Sequence, residues 1–120
     1  MTLLEQIGGQ DSVNAAVDAF YIRVLADDRV NGFFQINMDT QAAKQKRFLG
    51  AVLGGTAKDP EGYMRSAHMK LVKEGGLNDM HFDAIAEHLQ ATLESFGIEG
   101  DVLGQIMGAI GGLRDATLNR

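Results

Sequence analysis

The ten residues Tyr63-Met64-Arg65-Ser66-Ala67-His68-Met69-Lys70-Leu71-Val72 put a histidine where a core side chain belongs. Met64, Ala67, Leu71 and Val72 recur at helical spacing. At about 100° per residue, His68 lies roughly 40° from Met64 and roughly 60° from Leu71 on the same stripe. A neutral imidazole in an apolar wall needs partners for its ring nitrogens or costs about 1–3 kcal/mol. An ordinary satisfied core histidine is the plain reading and a metal ligand the consequential one. Position alone leaves both open.

The chain surrounding this helix has 120 residues, 45% of them hydrophobic, and a formal net charge of −5. That is enough apolar material for one domain over residues 1–120. The acidic balance, with no basic run and no aromatic stacking platform, argues against nucleic acid or an anionic membrane as partner. Cysteine is absent, which excludes disulfides and thiolate metal sites. The opening MTLLEQIGGQ is too polar and short for a signal peptide, and no apolar run approaches about 18 residues. A cytoplasmic monomer is the expectation.

Working outward, Val13, Ala16, Val17, Phe20, Tyr21, Val24 and Leu25 follow helical spacing without a miss, after Asp11-Ser12 as expected N-caps. Val30, Phe33 and Phe34 mark a compact turn or short helix. Asp39-Thr40 open a helix running to Gly54-Gly55, with Phe48, Leu49, Val52 and Leu53 as its apolar face; traced backwards, that face meets Gln45 and then Gln41. Residues 54–62 read as a loop. The His68 helix stops at Gly75-Gly76, Asn78 or Asp79 caps a helix carrying Phe82 to Phe96, and a last helix carries Val102 to Leu113. The pairs Gly8-Gly9, Gly54-Gly55 and Gly75-Gly76 punctuate this series. No segment alternates with period two, so the class is all-α.

Three of these helices present polar atoms inward: Tyr21, the pair Gln41 and Gln45, and His68. A dry core would favour none of them. Gln41 and Gln45 can alternatively mark a solvated helix start, and Tyr21 a core tyrosine whose hydroxyl reaches water. Taken together, one basic nitrogen opposite a set of neutral donors points to a buried cofactor with a polar guest. His81 and His88 lie well off their helix's apolar face, where solvent-exposed or capping roles are expected.

At these residues the chain resembles the group I truncated haemoglobins, small globins with a two-over-two helical sandwich. The likeness runs from about Leu3 to Asn119. It rests on Ile7-Gly8-Gly9, on Val17-Asp18 to Phe20-Tyr21 with Val24-Leu25, and on Gln41 through Gln45 to Phe48-Leu49. It continues in Gly54-Gly55, Tyr63-Met64-Arg65 to Ala67-His68, and His81-Phe82-Asp83-Ala84-Ile85-Ala86. The resemblance implies that His68 is the proximal ligand of a haem iron and that Tyr21, Gln41 and Gln45 line the distal pocket. It also implies apolar packing around the macrocycle from Phe20, Phe33, Phe34, Phe48, Leu49 and Met64.

Arg65 and Lys44, with Tyr63 as a weaker choice, are the expected partners of the haem propionates. Other members place at the position of Lys44 a histidine that swings onto the iron. Here a propionate salt bridge, with the stem packed on the haem edge, is the expected role, and a neutral lysine on iron the alternative. Some relatives carry a histidine in the last helix that bonds a haem vinyl. In this chain the matching stretch is Gly111-Gly112-Leu113-Arg114-Asp115, so the haem b is expected to be held non-covalently.

The function this implies is haem-based reversible binding of O2, NO, CO or other diatomic ligands, for storage, delivery or scavenging. The alternative is enzymatic: NO dioxygenation of NO and O2 to nitrate, supported by an external reductase. A third reading, a haem-free helical interaction domain, requires the His68 stripe to be fortuitous.

Overall fold

In the computed structural model, which describes residues 1–120, the periodic run from Val13 to Leu25 forms helix α2 (Gln10–Leu25). Val13, Ala16, Val17, Phe20, Tyr21 and Val24 are buried along it, while Leu25 is exposed at its end. The N-cap is Gly9, not Asp11 or Ser12, which lie inside the helix. Gly8 and Gly9 both take positive φ, at 108° and 83°, a region glycine enters at little cost. They turn the chain out of a one-turn helix, α1 (Leu3–Gln6), that carries its own Thr2–Glu5 capping box. That helix is too short to show a periodic signal. Asp11, displaced from the cap, still places its charge in the first turn, where the helix dipole favours it.

A 3-10 turn (Asn31–Phe34) leads to α3 (Met38–Gly54). Its cap is Asn37, which accepts the Thr40 N–H at 3.1 Å, so the helix starts slightly ahead of the expected Asp39-Thr40. Helix α4 (Pro60–Gly75) begins inside the expected loop, because Asp59 caps it and Pro60 suits a first helical turn. Helix α5 (Asp79–Ser95) opens on a capping box in which the Asn78 backbone N–H donates to His81 Nδ1 at 3.1 Å. The expected last helix is two, α6 (Gly100–Gly111) and the short α7 (Arg114–Thr117), broken after Gly111-Gly112.

Helix α2 packs on α3 and α5, α5 packs on α6, and α1 lies against α3 and α6. The crossing of α2 with α3 is close at Gly50, where any Cβ would collide with the Gln10 amide. Gln10 Nε2 donates to the Lys46 carbonyl there at 2.9 Å. The resulting core joins the inward face of α2 to Leu49 and Leu53 of α3, Ala84, Leu89 and Leu93 of α5, and Ile106 of α6. Every buried side-chain nitrogen and oxygen has a hydrogen-bond partner. No helix is long and apolar enough to cross a membrane.

Helix α4 stands apart from this core. Its principal neighbour is α7, and none of its residues is buried. Met64, His68, Leu71 and Val72 are therefore only half-covered by protein, although their spacing is that of an inward face.

His88 departs from expectation. Its side chain is 19% exposed and its Nε2 lies 2.6 Å from Asp27 Oδ2. Arg29 grips the same carboxylate through Nε and Nη2, at 3.0 and 2.8 Å to Oδ2. The Arg29 guanidinium, followed by the hydrogen bond with His88, holds the Asp27 carboxyl well below the usual carboxylate range. This cluster fastens the connection after α2 to α5 and fixes the entry to the 3-10 turn.

Candidate functional site

His68 has one ring nitrogen committed and one available. Its Nδ1 lies 2.7 Å from the carbonyl oxygen of Met64, one turn earlier in α4. A carbonyl only accepts, so Nδ1 carries the proton and Nε2 keeps an unshared pair. A bond of this kind fixes tautomer and ring orientation in metal-binding histidines.

Tyr21 is 6% exposed and sits between two rings, with centroids 5.0 Å from Phe20 and 5.7 Å from Phe34. Gln41 Nε2 donates to its hydroxyl oxygen at 3.1 Å. That bond occupies an acceptor pair and leaves the phenolic proton to be donated elsewhere. Burial pushes the hydroxyl's pKa up, against the opposing pull of the Gln41 bond, so Tyr21 stays a donor. Gln41 is thus turned inward at the start of α3, not out into solvent. Gln45 lies one turn along and is half-buried.

Aromatic contacts bridge the neighbours of α4 at both of its ends. Near its start, Phe48 of α3 stacks on Tyr63, with centroids 4.8 Å apart and planes at 21°. Near its end, Phe33 of the 3-10 turn approaches Gly75, where a Cβ would lie 3.2 Å from its ring. A cleft of ≈ 600 Å³ opens between α3 and α4, lined by Lys44, Arg47, Phe48, Tyr63, Ser66 and Ala67.

The expected site residues divide on this geometry. Lys44, Phe48 and Tyr63 line the cleft. Phe33 and Phe34 are half-buried in the 3-10 turn, and Met64 is half-buried beside His68. Phe20 and Leu49, expected against a macrocycle, are instead core residues at 5% and 2% exposure, with almost no surface left to offer a ring. Helical rotation explains Leu49: it lies about 100° around α3 from Phe48 and faces α2. Arg65, expected at a propionate, turns its Nη1 to the Arg120 carbonyl oxygen at 3.2 Å. Arg47 was missed by sequence reasoning. It follows Lys44 by three residues, and that spacing alone marks a second cation on the same edge of α3.

No group of three His, Asp or Glu side chains is gathered to hold a metal ion. An ion at His68 Nε2 therefore needs most of its ligands from an organic ring. The half-covered stripe of α4, with Phe33, Phe34 and Phe48 nearby, offers apolar walls for one, so the residues present fit a haem. The pairs α2 with α3 and α5 with α6, beside an α4 that presents a single oriented imidazole, suit a globin-type haem protein.

Comparison with known proteins narrows the class. Residues 2–119 match the bacterial-like globin family. The group 1 truncated hemoglobin GlbN of Synechocystis sp. is 48% identical over 92% of this chain and 90% of its own length. The group 1 truncated hemoglobin of Tetrahymena thermophila is 43% identical, over 87% and 84% of the two chains. Among solved structures, the 2/2 hemoglobin from Synechococcus sp. PCC 7002, in the cyanomet state with covalently attached heme, superposes with a TM-score of 0.93. It is 42% identical and covers 100% of both chains. The chain belongs to the group I truncated haemoglobins, with their two-over-two fold, a family that works by haem-based binding of small ligands.

Proposed function

We propose that this chain binds O2, and with it NO or CO, reversibly at a non-covalently held haem b, with His68 as proximal ligand and Tyr21, Gln41 and Gln45 as distal donors. The observation that carries the reading is the Gln41–Tyr21 bond, which commits the hydroxyl oxygen and leaves the phenolic proton to give. When bound, haem supplies an iron with an open coordination position and pushes electron density onto a diatomic ligand.

His68 holds the group through Nε2, with the Met64 carbonyl keeping the imidazole in the required tautomer. Tyr21 donates to the charged guest, and Gln41 keeps the hydroxyl from turning its proton back onto α3. A hydrogen bond to such an acceptor contributes about 1.5–3 kcal/mol. That slows release roughly 10- to 150-fold. Phe33, Phe34, Phe48 and Met64 exclude water from the ring faces.

Lys44 and Arg47, at the cleft mouth, are the cations for the propionates; Arg65, bonded to Arg120, is not needed there. Lys44 is exposed, which supports a salt bridge over iron ligation, since a lysine must be desolvated and neutral to ligate. The Synechococcus structure carries covalently attached heme. Here α6 and α7 contain no histidine or cysteine, which supports non-covalent binding.

The test is O2 dissociation from Tyr21→Phe. Release accelerated at least tenfold supports the reading; an unchanged rate removes Tyr21 from it. The donatable Tyr21 proton also favours NO dioxygenation as a second reading, with an external reductase. Rapid mixing of the oxygenated protein with NO decides it: fast formation of ferric protein and nitrate supports that activity, and slow conversion rejects it.

A further inference from the structure

Helix α4 carries the one histidine oriented for a metal, yet its hold on the protein core is weak. None of its residues is buried, and its main packing partner is α7. Directional contacts must therefore set where His68 stands. They come from the two residues that follow α7 and its C-cap.

Asn119 Nδ2 donates to the carbonyl oxygen of Arg65 at 3.1 Å. In return, Arg65 Nη1 donates to the carbonyl oxygen of Arg120 at 3.2 Å. The Arg65 carbonyl is the neighbour of the Met64 carbonyl that accepts His68 Nδ1. Asn119 thus grips the same turn of α4 that orients the imidazole. The far side of the grip is anchored: Arg120 pairs with Asp79 at the start of α5, at 2.7 Å, and with Asp115 of α7, at 2.9 Å. Arg114 of α7 reaches Asp79 at 3.1 Å and lies over the Phe82 ring at 4.5 Å. Asn119 is also the sole non-glycine residue at positive φ, 58°. Asparagine tolerates that conformation better than most residues, and it brings the amide to the Arg65 carbonyl.

We infer that Asn119 is a positioning residue for His68: through the Arg65 carbonyl, the segment after α7 straps the proximal turn of α4 and fixes the approach of the imidazole to the iron. The inference rests on the haem reading for its consequence, while the strap itself belongs to the protein without haem. With haem bound, a stiffly held histidine would resist displacement of its imidazole on ligand exchange. A loosely held one follows the iron, so the strap sets how strongly His68 restrains it.

Two variants separate the amide from the backbone. Asn119→Asp keeps shape and φ but puts a carboxylate against a carbonyl; Asn119→Gly keeps φ and removes the side chain. In the haem-free protein, hydrogen exchange at residues 66–70 is expected to speed up at least fivefold in both, with α2 unchanged. In the ferrous protein, resonance Raman is expected to show the iron–histidine stretching band shifted or broadened in both variants. Exchange unchanged in the α4 turn, acceleration spread equally over α2 and α5, or an unmoved Raman band would each overturn the assignment. If haem failed to bind the wild type at all, the exchange experiment would still report on the strap, and only the haem reading would fall.

Discussion

Helices α2 and α4 have the same length, 16 residues, and both carry apolar residues at helical spacing, yet they are stabilised in different ways. Helix α2 buries six residues, packing on α3, α5 and the 3-10 turn, and its place follows from close packing. Helix α4 buries none, and is held by aromatic contacts at its ends and by hydrogen bonds to Asn119 and Arg120. A helix with an apolar stripe that its own chain only half covers has surface left for a further partner. The difference separates a helix placed by protein packing from one that, on the proposed reading, takes part of its packing from a haem.

The largest expected effect that can break this contrast is on stability. Leu93→Ala, at 1% exposure in the shared core, is expected to destabilise the haem-free protein by about 2–5 kcal/mol. Leu71→Ala on α4 should cost no more than about 1 kcal/mol. Urea unfolding of both variants checks this, and equal losses would erase the distinction. In the haem-loaded protein the two costs should move closer together, since ligation and ring packing add to the hold on α4.

Next in size is the Tyr21→Phe acceleration of O2 release. Because burial raises the Tyr21 hydroxyl, its donor form is retained from neutral pH up to the ordinary tyrosine value of about 10. The wild-type release rate should show no pH step from this group over that range. A smaller effect comes from the Phe48–Tyr63 stack: Tyr63→Ala is expected to lose about 0.5–1.5 kcal/mol beyond area burial. It should also raise hydrogen exchange in the first turns of α4 but not in α2.

The most condition-dependent effect belongs to the Asp27 cluster on the well-packed side. A carboxyl held low in the folded state adds stability above its unfolded value, and that contribution is lost as pH falls. Asp27→Asn should therefore be less stable than wild type at neutral pH. The gap should narrow below about pH 3.9, the ordinary aspartate value. A gap constant with pH, read by urea unfolding, would dismiss the ion cluster as its source.

The same contrast explains what was legible in the sequence. Helix α2 could be read residue by residue, because burial by protein writes itself as periodicity. On α4 periodicity was equally plain, and the anomaly of His68 within it already asked for a partner, a metal among the choices; the backbone bond through Nδ1, which leaves Nε2 free, was not legible, because it ends on a main-chain carbonyl. Gln41 was ambiguous until its bond to Tyr21, twenty residues away, turned it inward. Leu49 packs into the core because the stripe of α3 is wide, one edge facing the cleft and the other α2. The Asp27–His88 pair and the Asn119 grip left no trace in spacing: they join residues 61 and 54 positions apart, and the grip ends on a backbone carbonyl, which any residue supplies.

The central claim, that α4 is completed by a haem ligated at His68 Nε2, is tested most directly by titrating haem into the haem-free protein and into His68→Gly, with absorption spectra recorded with and without added imidazole. The account predicts a stoichiometric Soret band with wild type, loss of tight binding in His68→Gly, and recovery of the wild-type ferrous spectrum when imidazole is supplied. A His68→Gly spectrum and haem affinity equal to wild type, without imidazole, would contradict it.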